Sequence, residues 1–190
     1  EPYFNNPDSF ASRQSRSNCC EELEVLGVHI DGGMRERFIV PTRKLHPSHE
    51  GLEMEQLALV ETLAIGCHAI DRASPGADDT VLIIGAGPIG LTCVEFTRLT
   101  SAKLLVMDMN EARLAFCREH MGVENTITFK GDQSEEQAIR DANQGQLPTI
   151  VIDATGNATS MANAMNYVAH TGTLIYVGIT LDKIVFPHVW

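Results

Sequence analysis

A chain of 190 residues with 44% hydrophobic and 21% charged side chains is able to bury a core, and its composition excludes a disordered chain. The formal charge of −11 repels a phosphate backbone, so no nucleic-acid partner is expected, and no apolar run nears the roughly 20 residues of a spanning helix, so no membrane partner is expected either. Five cysteines, at 19, 20, 67, 93 and 117, are an odd number outside any secreted disulfide pattern and point to a reducing, cytoplasmic setting.

The first 22 residues carry neither a helical nor a strand period. From Val25 the rhythm changes. "VLGVHI" is a short β-type run, Asp31-Gly32-Gly33 is a turn signal, and "MRERFIVP" alternates through Met34, Glu36, Phe38 and Val40. A hairpin of a β-rich module is expected, with a first domain over 1–51 and a second over 52–190. In the second, Leu57, Val60, Ala64, Cys67 and Ile70 stand at helical spacing. "TVLIIG" is a continuous apolar run, as in a strand buried on both faces. "PIGLTCVEFTRLT" reads as a helix with Pro88 in its first turn, "KLLVMD" as a strand, and "NEARLAFCREHMG" as a helix capped by Asn110 and stopped by Gly122. "NTITF", "SEEQAIRDANQ", "TIVIDATG", "ATSMANAMNYVAHTG" and "TLIYVGI" continue the alternation. The class is therefore α/β: a parallel sheet of about five strands between Thr80 and Ile179, with helices on both faces. A complete doubly wound dinucleotide fold has six strands, so this sheet is expected to be incomplete. Because the first residue is Glu rather than Met, a processed chain or a fragment is expected.

The sharpest motif is Gly85-x-Gly87-x-x-Gly90, directly after a strand and opening a helix, with Pro88 and Ile89 inside it. The first glycine permits the tight turn, the second lets backbone approach a pyrophosphate, and the third lets helix pack on strand. The helix N-terminus then offers free N–H groups to the phosphates. Asp108 ends the second strand, 23 residues after Gly85, where a carboxylate accepts from ribose hydroxyls and repels a 2′-phosphate. No Lys or Arg stands at 109 or 110, so NAD is favoured over NADP. A methyltransferase loop is the nearest rival; Pro88 and the full three-glycine spacing favour the dinucleotide.

These stretches, with "NCCEELEVLGVHIDGGMRERFIVP", "ALVETLAIGCHA", "VMDMNEARL", "VIDATGN" and "GTLIYVGI", resemble the zinc-containing medium-chain alcohol dehydrogenase family, most closely its polyol, threonine and sugar-acid branch. The resemblance implies a Rossmann domain preceded by a remnant of a GroES-like catalytic domain. It also implies a zinc-dependent, NAD-linked oxidoreductase of small-molecule alcohols that works as a homo-oligomer, a dimer or a tetramer. By position, Asn6, Ser9, Ser12 and Cys20 stand where the family carries four cysteines on structural zinc. One thiolate with an amide and two hydroxyls does not make a closed zinc site, so structural zinc is expected to be absent, with Cys19-Cys20 marking its former lobe. Glu61 matches the glutamate that serves catalytic zinc; on the residues alone it reads equally as a helix carboxylate paired with a base. Cys67 and His68 are expected in core or inter-domain packing, and His29, His46, His49, His120, His170 and His188 as structural or surface groups. Thr155 and Gly156 end the fourth strand, and Val177, Gly178 and Ile179 the fifth, where the family's backbone reaches the nicotinamide. Arg113 is placed to stack on adenine, or to stand as a solvated helix arginine.

In the family the remaining zinc ligands and the proton relay lie upstream of "EPY". These 190 residues alone are therefore expected to bind NAD weakly and to turn over no alcohol. Two other readings stay open: a zinc-free quinone or enone reductase of the same superfamily, against which Glu61 argues, and a non-catalytic NAD-binding module.

Overall fold

The computed structural model describes residues 1–186. The chain divides into two units, Glu1–Glu53 and Met54–Trp190. In the first, β1 (Tyr3–Phe4) pairs antiparallel with β2 (Glu24–Val25), Tyr3 opposite Val25. Between them lie α1 (Phe10–Arg13) and a 3₁₀ turn at Ser17–Cys19; a second 3₁₀ turn spans Thr42–Lys44. Lys44 is buried, its Nζ 2.8 Å from Glu1 Oε2 and 4.5 Å from the centre of the Tyr3 ring.

The hairpin expected over residues 25–40 is not there. Leu26 and Ile30 share an isolated bridge, and residues 34–40 form no strand. An isolated two-stranded hairpin is marginal in water without further strands or a packed face. Met34 and Ile39 accordingly stand almost fully in solvent.

In the second unit, α2 (Met54–Ala58) is followed by α3 (Val60–Ala73), so the expected continuous helix breaks at Leu59. Then come β3 (Thr80–Ile84), α4 (Pro88–Thr97), β4 (Lys103–Asp108), α5 (Glu111–Met121), β5 (Asn125–Thr128), α6 (Glu135–Ala142), β6 (Ile150–Asp153), α7 (Ala158–Asn163) and β7 (Thr173–Tyr176). The five strands lie in the order β5-β4-β3-β6-β7, every pair parallel. The chain winds one way from β3 and then back to its other side, so the carboxyl ends of β3 and β6 flank the switch point, where such sheets open a crevice.

Alternation along the strands feeds two cores. Val81, Ile83, Val106, Ile150 and Ile152 face Ile70, Cys93, Val94, Leu114 and Cys117. Leu82, Ile84, Leu105, Met107, Ile127 and Val151 face Ile139, Ala164 and Tyr167. The three inner strands β4, β3 and β6 are thus buried on both sides, which explains their apolar sequences, while the edge strands β5 and β7 are only partly covered. The local signals at α5 work as chemistry requires: Asn110 Oδ1 accepts from the N–H of Ala112 at 2.9 Å, and Gly122 ends the helix at φ 63°. The expected helix after residue 157 is shorter than its pattern. It tightens into a 3₁₀ turn at Ala164–Tyr167, whose three-residue repeat puts both Ala164 and Tyr167 into the core.

The buried face of α3 also differs from the spacing argument. Gly66, Ala69 and Ile70 are buried, whereas Val60 and Ala64 are exposed. The reason is a close helix crossing: a Cβ on Gly66 would lie 2.6 Å from the carbonyl carbon of Thr92 on α4. Gly66→Ala therefore forces α3 off α4. The expected cost is about 2 kcal/mol in a urea titration; an unchanged midpoint would show that the crossing is loose.

Candidate cofactor site

The loop from β3 to α4 is built by sterics. Gly85 has φ 97°, a left-handed turn that L side chains rarely adopt. A Cβ on Gly90 would lie within the carbonyl oxygen of Gly85 and 2.8 Å from its carbonyl carbon, so only glycine lets α4 start this close to β3. Gly87 differs: a Cβ there would meet nothing nearer than Arg113 Nη1 at 3.9 Å, which leaves the space above the loop open. Gly87 is also the N-cap of α4 and provides no side-chain cap, while Pro88 needs none, so the N–H groups of the first turn stay available to an anion. Ile89 sits half-buried in that turn, its carbonyl accepting from the Thr92 hydroxyl at 2.7 Å.

Asp108 ends β4 beside this loop, 6% exposed. Its Oδ2 accepts from the N–H of Ala86 at 2.6 Å, and its Oδ1 from the N–H of Asn110 at 2.7 Å. One carboxylate thus fastens the glycine turn to the start of α5. Arg113 reaches back to 3.7 Å from Asp108 Oδ2 while remaining half exposed, which sets a guanidinium over the loop.

The other predicted cofactor residues meet the same edge. Thr155 Cγ2 would be 3.1 Å from a Cβ on Gly85, and a Cβ on Gly178 would be 2.8 Å from the Cα of Gly156. The turns after β6 and β7 therefore touch backbone to backbone. The N–H groups of Val177 and Gly178 donate to the carbonyl of Asp153 at 2.9 and 3.1 Å, while Ile179 projects into solvent.

The sequence argument missed Asp153. It is fully buried, with Oδ1 accepting from the N–H and hydroxyl of Thr155 at 2.9 and 2.6 Å, and Oδ2 from the Ser160 hydroxyl at 2.6 Å. Its carboxylate shapes the turn carrying Thr155 and Gly156. The available signal was an acid closing the apolar run "TIVID".

Glu61 occupies the first turn of α3, exposed and free of hydrogen bonds and ion pairs among the described residues. His68 is exposed and Cys67 half-buried, so the packing role expected for His68 is not in the core. The described histidines at 29, 46, 49, 120 and 170 are all exposed; His188 lies outside the described residues. Among the described residues no group of three or more His, Cys, Asp or Glu side chains is arranged to hold a metal ion.

In the first unit, Ser9, Ser12 and Cys20 do come together, through hydrogen bonds. The Ser9 hydroxyl donates to Ser12 Oγ at 2.8 Å and caps α1 by accepting from the Ser12 N–H at 3.2 Å. Asn6 Nδ2 donates to Glu22 at 2.9 Å. Hydrogen bonding from Ser9, then from the backbone at Asn6 and Glu22, outweighs burial and holds the Cys20 thiol below its usual range. Ser9→Ala removes both the cap and the thiol contact; a loss of about 1 kcal/mol is expected for this unit in denaturant, and no change would mean the lobe does not depend on Ser9.

A glycine turn, a buried acid and an uncapped helix at the carboxyl edge of the β5-β4-β3-β6-β7 sheet are the features of a Rossmann-like domain. The model of the zinc-binding dehydrogenase family matches residues 88–188, and the chain belongs to that family. It is 35% identical to L-galactonate-5-dehydrogenase of Escherichia coli over 187 residues, covering 97% of this chain and 54% of that protein. It is 24% identical to D-xylulose reductase A of Aspergillus oryzae over 182 residues, covering 92% and 50%. A solved short chain alcohol dehydrogenase (rspB) from E. coli, complexed with cofactor NADH, superposes with a TM-score of 0.86 at 26% identity, over 98% of this chain and 55% of that one. The chain spans about half the length of the curated relatives it matches.

Proposed function

We propose that this chain binds NAD at the carboxyl edge of its sheet, within a zinc-dependent oxidoreductase that takes hydride from a secondary alcohol, polyol or sugar acid. One observation carries the reading most: the buried Asp108 carboxylate, fastened to the glycine turn by the Ala86 N–H. The residues fit a dinucleotide. Open space above Gly87 and the uncapped start of α4 suit a pyrophosphate, and Asp108 suits the adenosine ribose. Bound NAD supplies the hydride acceptor. The chain's own residues do the rest: Gly85 to Gly90 take the phosphates, Arg113 stacks on adenine, and the backbone at Val177, Gly178 and Ile179, with Thr155 and Gly156, orients the nicotinamide.

Zinc is a different matter. Glu61 is our candidate ligand, yet it does not by itself make a metal site, and no step is assigned through zinc here. On the same reading residues 1–51 are part of a GroES-like catalytic domain whose lobe is held by hydrogen bonds rather than structural zinc, and the working protein is a cytoplasmic homo-oligomer. The relative named for L-galactonate supports a sugar acid as substrate class. The test is a fluorescence titration of the protein with NADH and with NADPH. A preference of at least about tenfold for NADH is expected, from the loss of one charge-compatible ribose contact. Equal affinities, or tighter NADPH, would overturn the cofactor assignment.

A further inference from the structure

A cavity of about 340 Å³ lies between the loop after β5, the start of α6 and the 3₁₀ turn at Ala164–Tyr167. It is lined by Phe129, Gln133, Glu135, Asn163, Asn166 and Tyr167, among others, and by none of the residues assigned to the cofactor. Two of its lining residues are buried yet keep a side-chain oxygen turned to the cavity. Glu135 is 3% exposed; its Oε1 accepts from the N–H groups of Lys130 and Gly131 at 2.9 and 2.6 Å, and no other residue of the described chain donates to its Oε2. Tyr167 is 7% exposed, and its hydroxyl has no hydrogen-bond partner among the described residues. No fully enclosed side-chain polar atom of the described residues is left without a partner. These two oxygens therefore reach solvent, and the cavity they line is where they do so.

Their chemistry limits the ligand. Burial and then the charges of Glu135 and Glu136 push the Tyr167 phenol up to about 12, so it stays a hydrogen-bond donor at any ordinary pH. Burial works against ionisation of Glu135, but the backbone N–H groups of Gly131, Glu135 and Lys130 outweigh it and hold the carboxyl below its usual range. It stays an acceptor. An anion is unsuitable, because no Lys or Arg lines the cavity and Glu135 is charged. A cation is poorly served as well. The second lining carboxylate, Glu136, is already paired with Arg140 at 2.8 Å, and the start of α6 carries positive dipole. What remains is a neutral ligand whose groups both donate and accept. A hydroxyl donates to Glu135 Oε2, its neighbour accepts from the Tyr167 hydroxyl, and the amides of Asn163 and Asn166 take either role. The Phe129 ring offers an apolar face for the carbon skeleton.

We infer that this cavity binds a neutral polyhydroxylated small molecule, a cyclic polyol or monosaccharide, at a site separate from the dinucleotide crevice. The inference does not depend on the cofactor assignment.

The test uses myo-inositol as probe, followed by amide NMR, with 1,4-diaminobutane and inorganic phosphate as the cationic and anionic alternatives and NADH as competitor. Saturable shifts are expected at the amides of Lys130 and Gly131, which report on Glu135, with no competition from NADH. Tyr167→Phe keeps the ring in the core and removes only the hydroxyl, so binding is expected to weaken about tenfold, the effect of leaving a buried polar partner unmatched. Asn166→Ala, at a half-buried position, provides a second variant with the same expected direction. The proposal fails if myo-inositol does not bind, if both variants bind it unchanged, if NADH displaces it, or if the diamine or phosphate binds there instead.

Discussion

Asp108→Ser is expected to weaken NADH binding by about 10- to 100-fold, the scale of lost hydrogen bonds to a buried charge, while NADPH binding holds or improves. Two effects act together. The carboxylate proposed to receive the ribose hydroxyls disappears, and with it the repulsion of a 2′-phosphate. The half-exposed Arg113 guanidinium, now 3.7 Å from Asp108 Oδ2, also loses its carboxylate and is free to meet a phosphate. The substitution further strips the Ala86 and Asn110 N–H groups of their acceptor, so some disorder of the glycine turn contributes to the weaker binding. Paired titrations with the two cofactors separate these parts. Turn disorder weakens both cofactors alike, whereas loss of discrimination changes their ratio. A ratio that stays at its original value would remove Asp108 from the specificity argument.

Gly90→Val and Gly87→Ala form a second, sharper pair. At Gly90 any side chain collides with the carbonyl of Gly85, which is backbone and cannot swing aside. The expected cost is about 3 kcal/mol or more, at the upper end for overpacking, with loss of cofactor binding as a consequence of a displaced α4. At Gly87 the added methyl meets only the far end of a flexible arginine at 3.9 Å, and φ is −79°, which any residue adopts. Stability should move by no more than about 0.5 kcal/mol. The methyl nevertheless stands where a pyrophosphate must approach, so NADH affinity should fall at least about tenfold. Denaturant unfolding and NADH titration on both variants check this. Full binding by Gly87→Ala would mean that the phosphates do not pass over this loop.

The α/β class and the candidate cofactor loop came from contrasts that survive in one dimension. Short continuous apolar runs bounded by turn signals mark strands of a covered sheet, and the three glycines stand at a fixed interval between strand and helix. The hairpin over residues 25–40 misled because alternation marks a strand only where a partner exists, and the described residues supply none. The face of α3 misled because Gly66, scored as no hydrophobe at all, is the residue that sets the helix crossing. Asp153 escaped notice because an acid closing an apolar run does not by itself show what it will bond; its partners Thr155 and Ser160 turn towards it only once the chain has left β6.

By itself, the order of residues determined the α/β alternation, the place of the glycine turn and the acid at the end of the next strand. Each of these is a local property, decided by sterics and hydrogen bonding within a few residues. Only the tertiary structure decided that Gly156 and Gly178 lie against one another, that Asp108 holds the turn through Ala86, and that Glu135 and Tyr167 share a cavity. Those pairings join segments tens of residues apart, and the packing of helices on both faces of the sheet is what brings them within reach.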